Sequence, residues 1–202
     1  MPTQSMNNRM GLGLCGLVAL VTTLVIVKIG LDLGNQELPM GSAGASGISA
    51  GGVLSGEPAP ELALEDLYGN EVRLTDHRGQ VILVDFWATW CGPCIQELPH
   101  IQKVHEKYQD QGLVVLAIST DRQKSKVPPF VEKNGYTFPV LLADGKVETA
   151  YQVRGIPVVY LIDRTGVIRY HKEGFSPGSE KDFERWVEEL LKEEAGPLPG
   201  QS

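Results

Sequence analysis

Residues 81–94 read Val-Ile-Leu-Val-Asp-Phe-Trp-Ala-Thr-Trp-Cys-Gly-Pro-Cys, an apolar run that passes straight into a Cys-x-x-Cys pair and then into a segment of helical period. This junction restricts the chain more than any other stretch. It demands a buried strand whose end delivers two thiols to the first turn of a helix. There Cys91 meets the positive end of the macrodipole and several unpaired backbone N–H groups, which favour its thiolate. Cys94, one turn later, can attack whatever Cys91 has captured, so the spacing predicts exchange through a mixed disulfide. A zinc half-site would need a second Cys/His pair at matching spacing, and the remaining cysteine, Cys15, is remote in an apolar run. A purely structural disulfide more often joins distant segments, where it closes a longer loop.

The segment before this region has a different character. Residues 11–27 carry no charge and are rich in Leu and Val, and a helix over 10–31 would span about 33 Å, enough for a bilayer core if Lys28 snorkels. We read 1–9 as a cytoplasmic N-terminus and 10–31 as an uncleaved transmembrane signal-anchor, because the small-residue stretch Ala43-Gly44-Ala45 lies far beyond the apolar run for a cleavage site. Arg9 and the amino terminus precede the span, so the positive-inside rule places the remainder outside the cytoplasm. Residues 32–56 are rich in Gly, Ser and Ala and read as a flexible tether with a reach of about 25 Å. A single folded domain is expected over 57–195, with 196–202 as a tail. The net charge of -7 and the absence of a Lys/Arg cluster argue against nucleic acid as a partner.

Within the domain, short apolar runs alternate with helical periods, which predicts an α/β fold. A hairpin is expected from 61–64 and 71–74 around Tyr68-Gly69-Asn70. A central strand follows at 81–86, interrupted only by Asp85. The helix over 93–108 presents Ile95, Leu98, Ile101, Val104 and Tyr108 at helical spacing, with a kink expected at Pro99. A second strand at 113–118 should lie parallel to the first. Residues 121–126 read as a polar loop, 128–134 as a helix ended by Gly135, and 138–142 as a short edge strand or an inserted extension. A second hairpin is expected from 158–162 and 167–171 around Asp163-Arg-Thr-Gly166. A terminal amphipathic helix over 180–192 buries Phe183, Trp186, Val187 and Leu190. His77, His100, His105 and His171 lack ligand spacing and read as surface or satisfied histidines. No resident metal and no cofactor are called for.

Val-Asp-Phe-Trp-Ala-x-Trp-Cys-Gly-Pro-Cys at 84–94, together with Arg154-Gly-Ile-Pro157 and the apolar strand after it, resembles the thioredoxin superfamily. Gly56-Glu-Pro-Ala-Pro60, Leu67-Tyr-Gly-Asn70, Cys94-Ile-Gln-Glu-Leu-Pro99 and the Ile162-Asp-Arg-Thr-Gly166 turn look like its membrane-anchored TlpA/ResA branch. The resemblance covers nearly the whole domain. It implies a thioredoxin fold, a central mixed sheet flanked by helices, with an added N-terminal hairpin and an insertion after the first βαβ unit. It also implies a redox disulfide between Cys91, the nucleophile, and Cys94, the resolving thiol. Asp85 would lie beneath the pair as proton acceptor, and Glu97, one turn after Cys94, would border the site and tune the thiols. Having both carboxyls departs from many members of that branch, and leaves open which of them moves the proton. Pro157 matches the family's cis-proline and frees the Ile156 backbone to pair with a client chain. Trp90, Gly92, Pro93, Ile156 and Pro157 are the expected client contacts.

The function expected is that of a membrane-anchored, extracytoplasmic thiol–disulfide oxidoreductase of the bacterial inner membrane that reduces disulfides in exported proteins. The resemblance implies apocytochrome c or the copper-site cysteines of cytochrome oxidase as clients. One span with a lone Cys15 cannot relay two electrons, so a separate membrane thiol transporter is implied as donor. A copper assembly chaperone using the same cysteines and a thiol peroxidase are the alternatives.

Overall fold

The computed structural model describes residues 55–193, and within them the expected alternation is present. The expected anchor, most of the expected tether and the tail lie outside the described residues. Among the described residues no helix is long and apolar enough to cross a membrane.

The chain opens with an antiparallel hairpin, β1 (Ala63–Glu65) and β2 (Glu71–Arg73). Its turn is closed by Asp66, whose carboxylate accepts the N–H groups of Tyr68 and Asn70 at 2.8 Å each. The expected strands are shortened and shifted, and Leu74 leaves β2 for a 3-10 turn over Leu74–His77. β3 (Val81–Trp87), α1 (Gly92–Tyr108) and β4 (Leu113–Ser119) form the parallel βαβ unit. α2 (Val127–Asn134) ends at Gly135, whose φ of 68° is the left-handed conformation that glycine adopts without strain. β5 (Val140–Leu142) is the parallel edge strand beside β4.

Next comes a short helix that the sequence pattern did not reveal, α3 (Lys146–Ala150). It is too short to show a period. Its start is marked by Asp144, which accepts the N–H groups of Lys146 and Val147, the ordinary way an aspartate satisfies a helix N-terminus. β6 (Val158–Ile162), β7 (Ile168–Glu173) and α4 (Glu180–Lys192) complete the domain. The sheet order is β5-β4-β3-β6-β7, with β6 antiparallel to β3.

Side chains alternate across a strand, so β3 feeds two cores. Val81, Leu83 and Trp87 join Leu98, Ile101, Val104, Phe183 and Val187 under α1 and α4. Ile82, Val84 and Phe86 join Leu62, Leu64, Val147 and Tyr151 on the opposite face. Asp85 shares the parity of Leu83 and Trp87 and therefore points toward α1. The inner face of α1 differs from expectation: Ile95 is 38% exposed, while Cys94, Glu97, Gln102 and His105 are turned inward. His105 departs from the surface or satisfied reading, because it is buried against Phe138 and its Nδ1 has no hydrogen-bond partner among the described residues. Burial lowers its pKa and keeps the ring neutral.

Candidate active site

The site forms where β3 ends. Cys91 is the N-cap of α1, with extended φ and ψ of -86° and 105°, and its Sγ accepts the Cys94 N–H at 3.3 Å. A sulfur in that position takes up one of the orphan donors of the first turn, the same interaction that stabilises a thiolate once the bond is reduced. Cys91 and Cys94 are joined as a disulfide. Cys91 is 5% exposed and Cys94 0%, so an incoming sulfur meets Cys91 first. Gly92 and Pro93 lie exposed on the first turn, and a Cβ added at Gly92 would meet nothing within 4 Å.

The loop before β6 closes the site from the other side. The Ile156–Pro157 peptide is cis, and the Ile156 carbonyl oxygen is 3.7 Å from Cys91 Sγ although 65 residues separate them. Pro157 is itself tied to the end of β7, its carbonyl accepting the Gly174 N–H at 2.8 Å. The two tryptophans near the pair part company. Trp90 is 70% exposed beside the pair, whereas Trp87 is fully buried, its ring centroid 5.4 Å from that of Phe130.

Two carboxyls are buried on the α1 side of the sheet, Asp85 on β3 and Glu97 one turn after Cys94 on α1. Asp85, paired across the sheet with Ala117 and Val159, is fully buried, and Glu97 is 1% exposed. Neither has a hydrogen-bond partner for either oxygen among the described residues. Desolvation raises both pKa values, and for Glu97 the nearby Asp85 carboxyl raises it further while Lys172 opposes the rise. Two buried carboxyls close enough to feel one another do not both ionise readily. Desolvation and the mutual repulsion of the two carboxyls thus act in the same direction, toward the protonated forms.

One buried group beside the site escaped the sequence reading, which took 121–126 as a polar loop. Asp121 is 6% exposed, and its carboxylate accepts the Thr89 N–H at 2.8 Å, the Thr89 hydroxyl at 2.7 Å and the Ser119 hydroxyl at 3.0 Å. Its neighbour Thr120 donates its N–H to the Trp87 carbonyl at 2.8 Å. The end of β4 thus clasps the segment that carries Trp90 and Cys91. A signal was present: ligand and catalytic sites of parallel sheets gather beyond the carboxyl ends of adjacent strands, and Asp121 follows β4 as Cys91 follows β3.

Comparison with known proteins agrees with this geometry. Residues 55–171 match the AhpC/TSA family. A thiol-disulfide oxidoreductase ResA of Geobacillus thermodenitrificans is 40% identical over 118 residues, 58% of this chain and 68% of that protein. The ResA of Geobacillus kaustophilus is 36% identical over 139 residues, 68% of this chain and 79% of that one. This chain belongs to the AhpC/TSA family, among its ResA-like thiol–disulfide oxidoreductases. Its fold is that of thioredoxin: the thioredoxin domain of a thiol-disulfide oxidoreductase from Bacteroides vulgatus superposes with a TM-score of 0.62 at 28% identity, covering 68% of this chain and 98% of that one. In a ResA-like oxidoreductase the Cys91–Cys94 disulfide is the oxidised form of the reactive pair.

Proposed function

We propose that this oxidoreductase is held to the bacterial inner membrane by residues 10–31 and reduces disulfides of exported proteins on the extracytoplasmic side. The single observation that carries the mechanism is the asymmetry of the pair, Cys91 slightly exposed and Cys94 fully buried on the helix that also buries Glu97. The Cys91 thiolate attacks a client disulfide, forming a mixed disulfide and releasing one client sulfur, which takes up a proton. In the fraction of molecules whose carboxyl pair carries a negative charge, Cys94 then gives its proton to the ionised member, Asp85 or Glu97, and attacks Cys91 Sγ. The second client thiolate leaves, and the Cys91–Cys94 disulfide forms. A raised carboxyl pKa serves this step because it approaches that of a thiol, making the proton transfer nearly balanced. Trp90, Gly92, Pro93, Ile156 and Pro157 surround the reacting sulfur and are the groups a client chain would meet.

The cycle closes when a membrane thiol transporter returns two electrons to the disulfide. Gly-Pro between the cysteines favours the reducing direction, and the resemblance to the TlpA/ResA branch favours apocytochrome c or oxidase copper-site cysteines as clients. Cys94→Ser arrests the mixed disulfide, so the client is expected to be recovered covalently bound and identified by mass spectrometry. Failure to trap any exported protein would overturn the reading. Stoichiometric copper retention or fast peroxide consumption by the protein would shift the function to a copper chaperone or a thiol peroxidase. Protease digestion of sealed cells tests the topology, with a protected C-terminal domain as the outcome that defeats it.

A further inference from the structure

Beside the disulfide lies a cleft of about 640 Å³ bounded by Trp90, Thr120, Asp121, Arg122, Gln123 and Lys126. Its charge is the reverse of the molecule's. The chain carries -7, yet Arg122 and Lys126 line the cleft, and Lys124 lies between them on the same loop, all exposed. Among the described residues none of the three has a carboxylate partner, whereas Lys107, Arg169 and Lys172 are each engaged in an ion pair. The one carboxylate lining the cleft, Asp121, has both oxygens turned inward onto Thr89 and Ser119. Arg154, also exposed, stands two residues before Ile156 on the loop that touches Cys91 Sγ.

We propose that this cleft is the docking surface for an acidic polypeptide segment next to the partner's reacting cysteine. The inference deepens the oxidoreductase reading and rests on it. Charge complementarity names the partner's chemistry, since opposite potentials steer encounter and like charges penalise the wrong partner. The exposed Trp90 ring supplies the apolar anchor of the kind that carries binding energy at interfaces. An anionic lipid surface would meet the same charges but is the weaker fit. Trp90, which precedes Cys91 in the chain, forms one wall of the cleft, so a chain lying in it passes close to the reacting sulfur.

The test uses the full-length protein in neutral detergent, reduced beforehand. It is mixed in stopped flow with disulfide-bridged peptides that differ only in flanking Asp/Glu, Ser or Lys residues. In each reaction the peptide disulfide is reduced to two thiols as the Cys91–Cys94 disulfide forms. The acidic peptide is expected to react about tenfold faster than the basic one at low salt, the gap closing toward 1 M, where screening acts within about 3 Å. Combining Arg122→Glu with Lys126→Glu should invert the acidic-to-basic ratio, each protein's rate on the Ser-flanked peptide serving as its own reference. A ratio near one, or a ratio indifferent to the double substitution, would overturn the proposal. So would a flat ratio accompanied by Arg122- and Lys126-dependent binding to phosphatidylglycerol vesicles, which would make the surface a membrane contact. Loss of exchange on every peptide, the Ser-flanked one included, would instead defeat the oxidoreductase reading itself.

Discussion

Replacing Asp85 by asparagine should stabilise the oxidised protein at neutral pH and do nothing at pH 4. Asp85 is fully buried without a partner among the described residues, and desolvation pushes its pKa from the ordinary 3.8 up to about 8. Above pH 3.8 the unfolded chain ionises this group while the native protein still holds the proton. Stability therefore falls as pH rises toward the folded value and levels off beyond it. Each pH unit in that window costs about 1.4 kcal/mol, so roughly three units up to pH 7 amount to about 4 kcal/mol. Coupling to Glu97 spreads the loss over two titrations belonging to the pair, and a measured gain of about 2–4 kcal/mol is expected. Urea unfolding of wild type and Asp85→Asn from pH 4 to 8, with m-values compared, reads the difference directly. Parallel stability curves, or a variant less stable than wild type at pH 7, would refute the claim that an unpaired carboxyl is held there at a cost.

Asp85→Asn and Glu97→Gln should each slow the Cys94 step and displace its pH profile in stopped-flow reduction, and if neither moves the profile, both proton roles fall. Asp121→Ala removes three hydrogen bonds to a buried carboxylate, so a loss of about 2–4 kcal/mol is expected in urea unfolding. Asp121→Asn should keep part of that stability, because the amide oxygen still accepts from Thr89, and an unchanged Asp121→Ala would dismiss the clasp. Gly92→Ala meets no neighbour and should leave stability unchanged or raised by up to about 1 kcal/mol. Exchange with folded protein disulfides should nonetheless fall relative to a small disulfide, and equal rates on the two would show that clients do not approach over the first turn.

Much of the domain was legible because its signals are local. The bounds of α4 coincide with the expected 180–192, since Phe183, Val187 and Leu190 repeat at helical spacing beside a polar face. The second hairpin announced itself through Asp163-Arg-Thr-Gly166, where the Asp163 carboxylate accepts the N–H groups of Thr165 and Val167. Where the reading went astray, a single-residue pattern competed with packing. Ile95 has the right spacing for the core but sits on the outer side of the first turn. His105 was misplaced for the same reason.

The chemistry of Cys91 and Cys94 was determined by the sequence alone, because a helix start, its dipole and a three-residue spacing are properties of one continuous segment. What surrounds the pair was decided by tertiary structure. The approach of Ile156 to Cys91 Sγ, the shared burial of Asp85 and Glu97, and the grip of Asp121 on Thr89 each join different elements. Strand order and register set those meetings, and they depend on which apolar faces pack together across the whole domain.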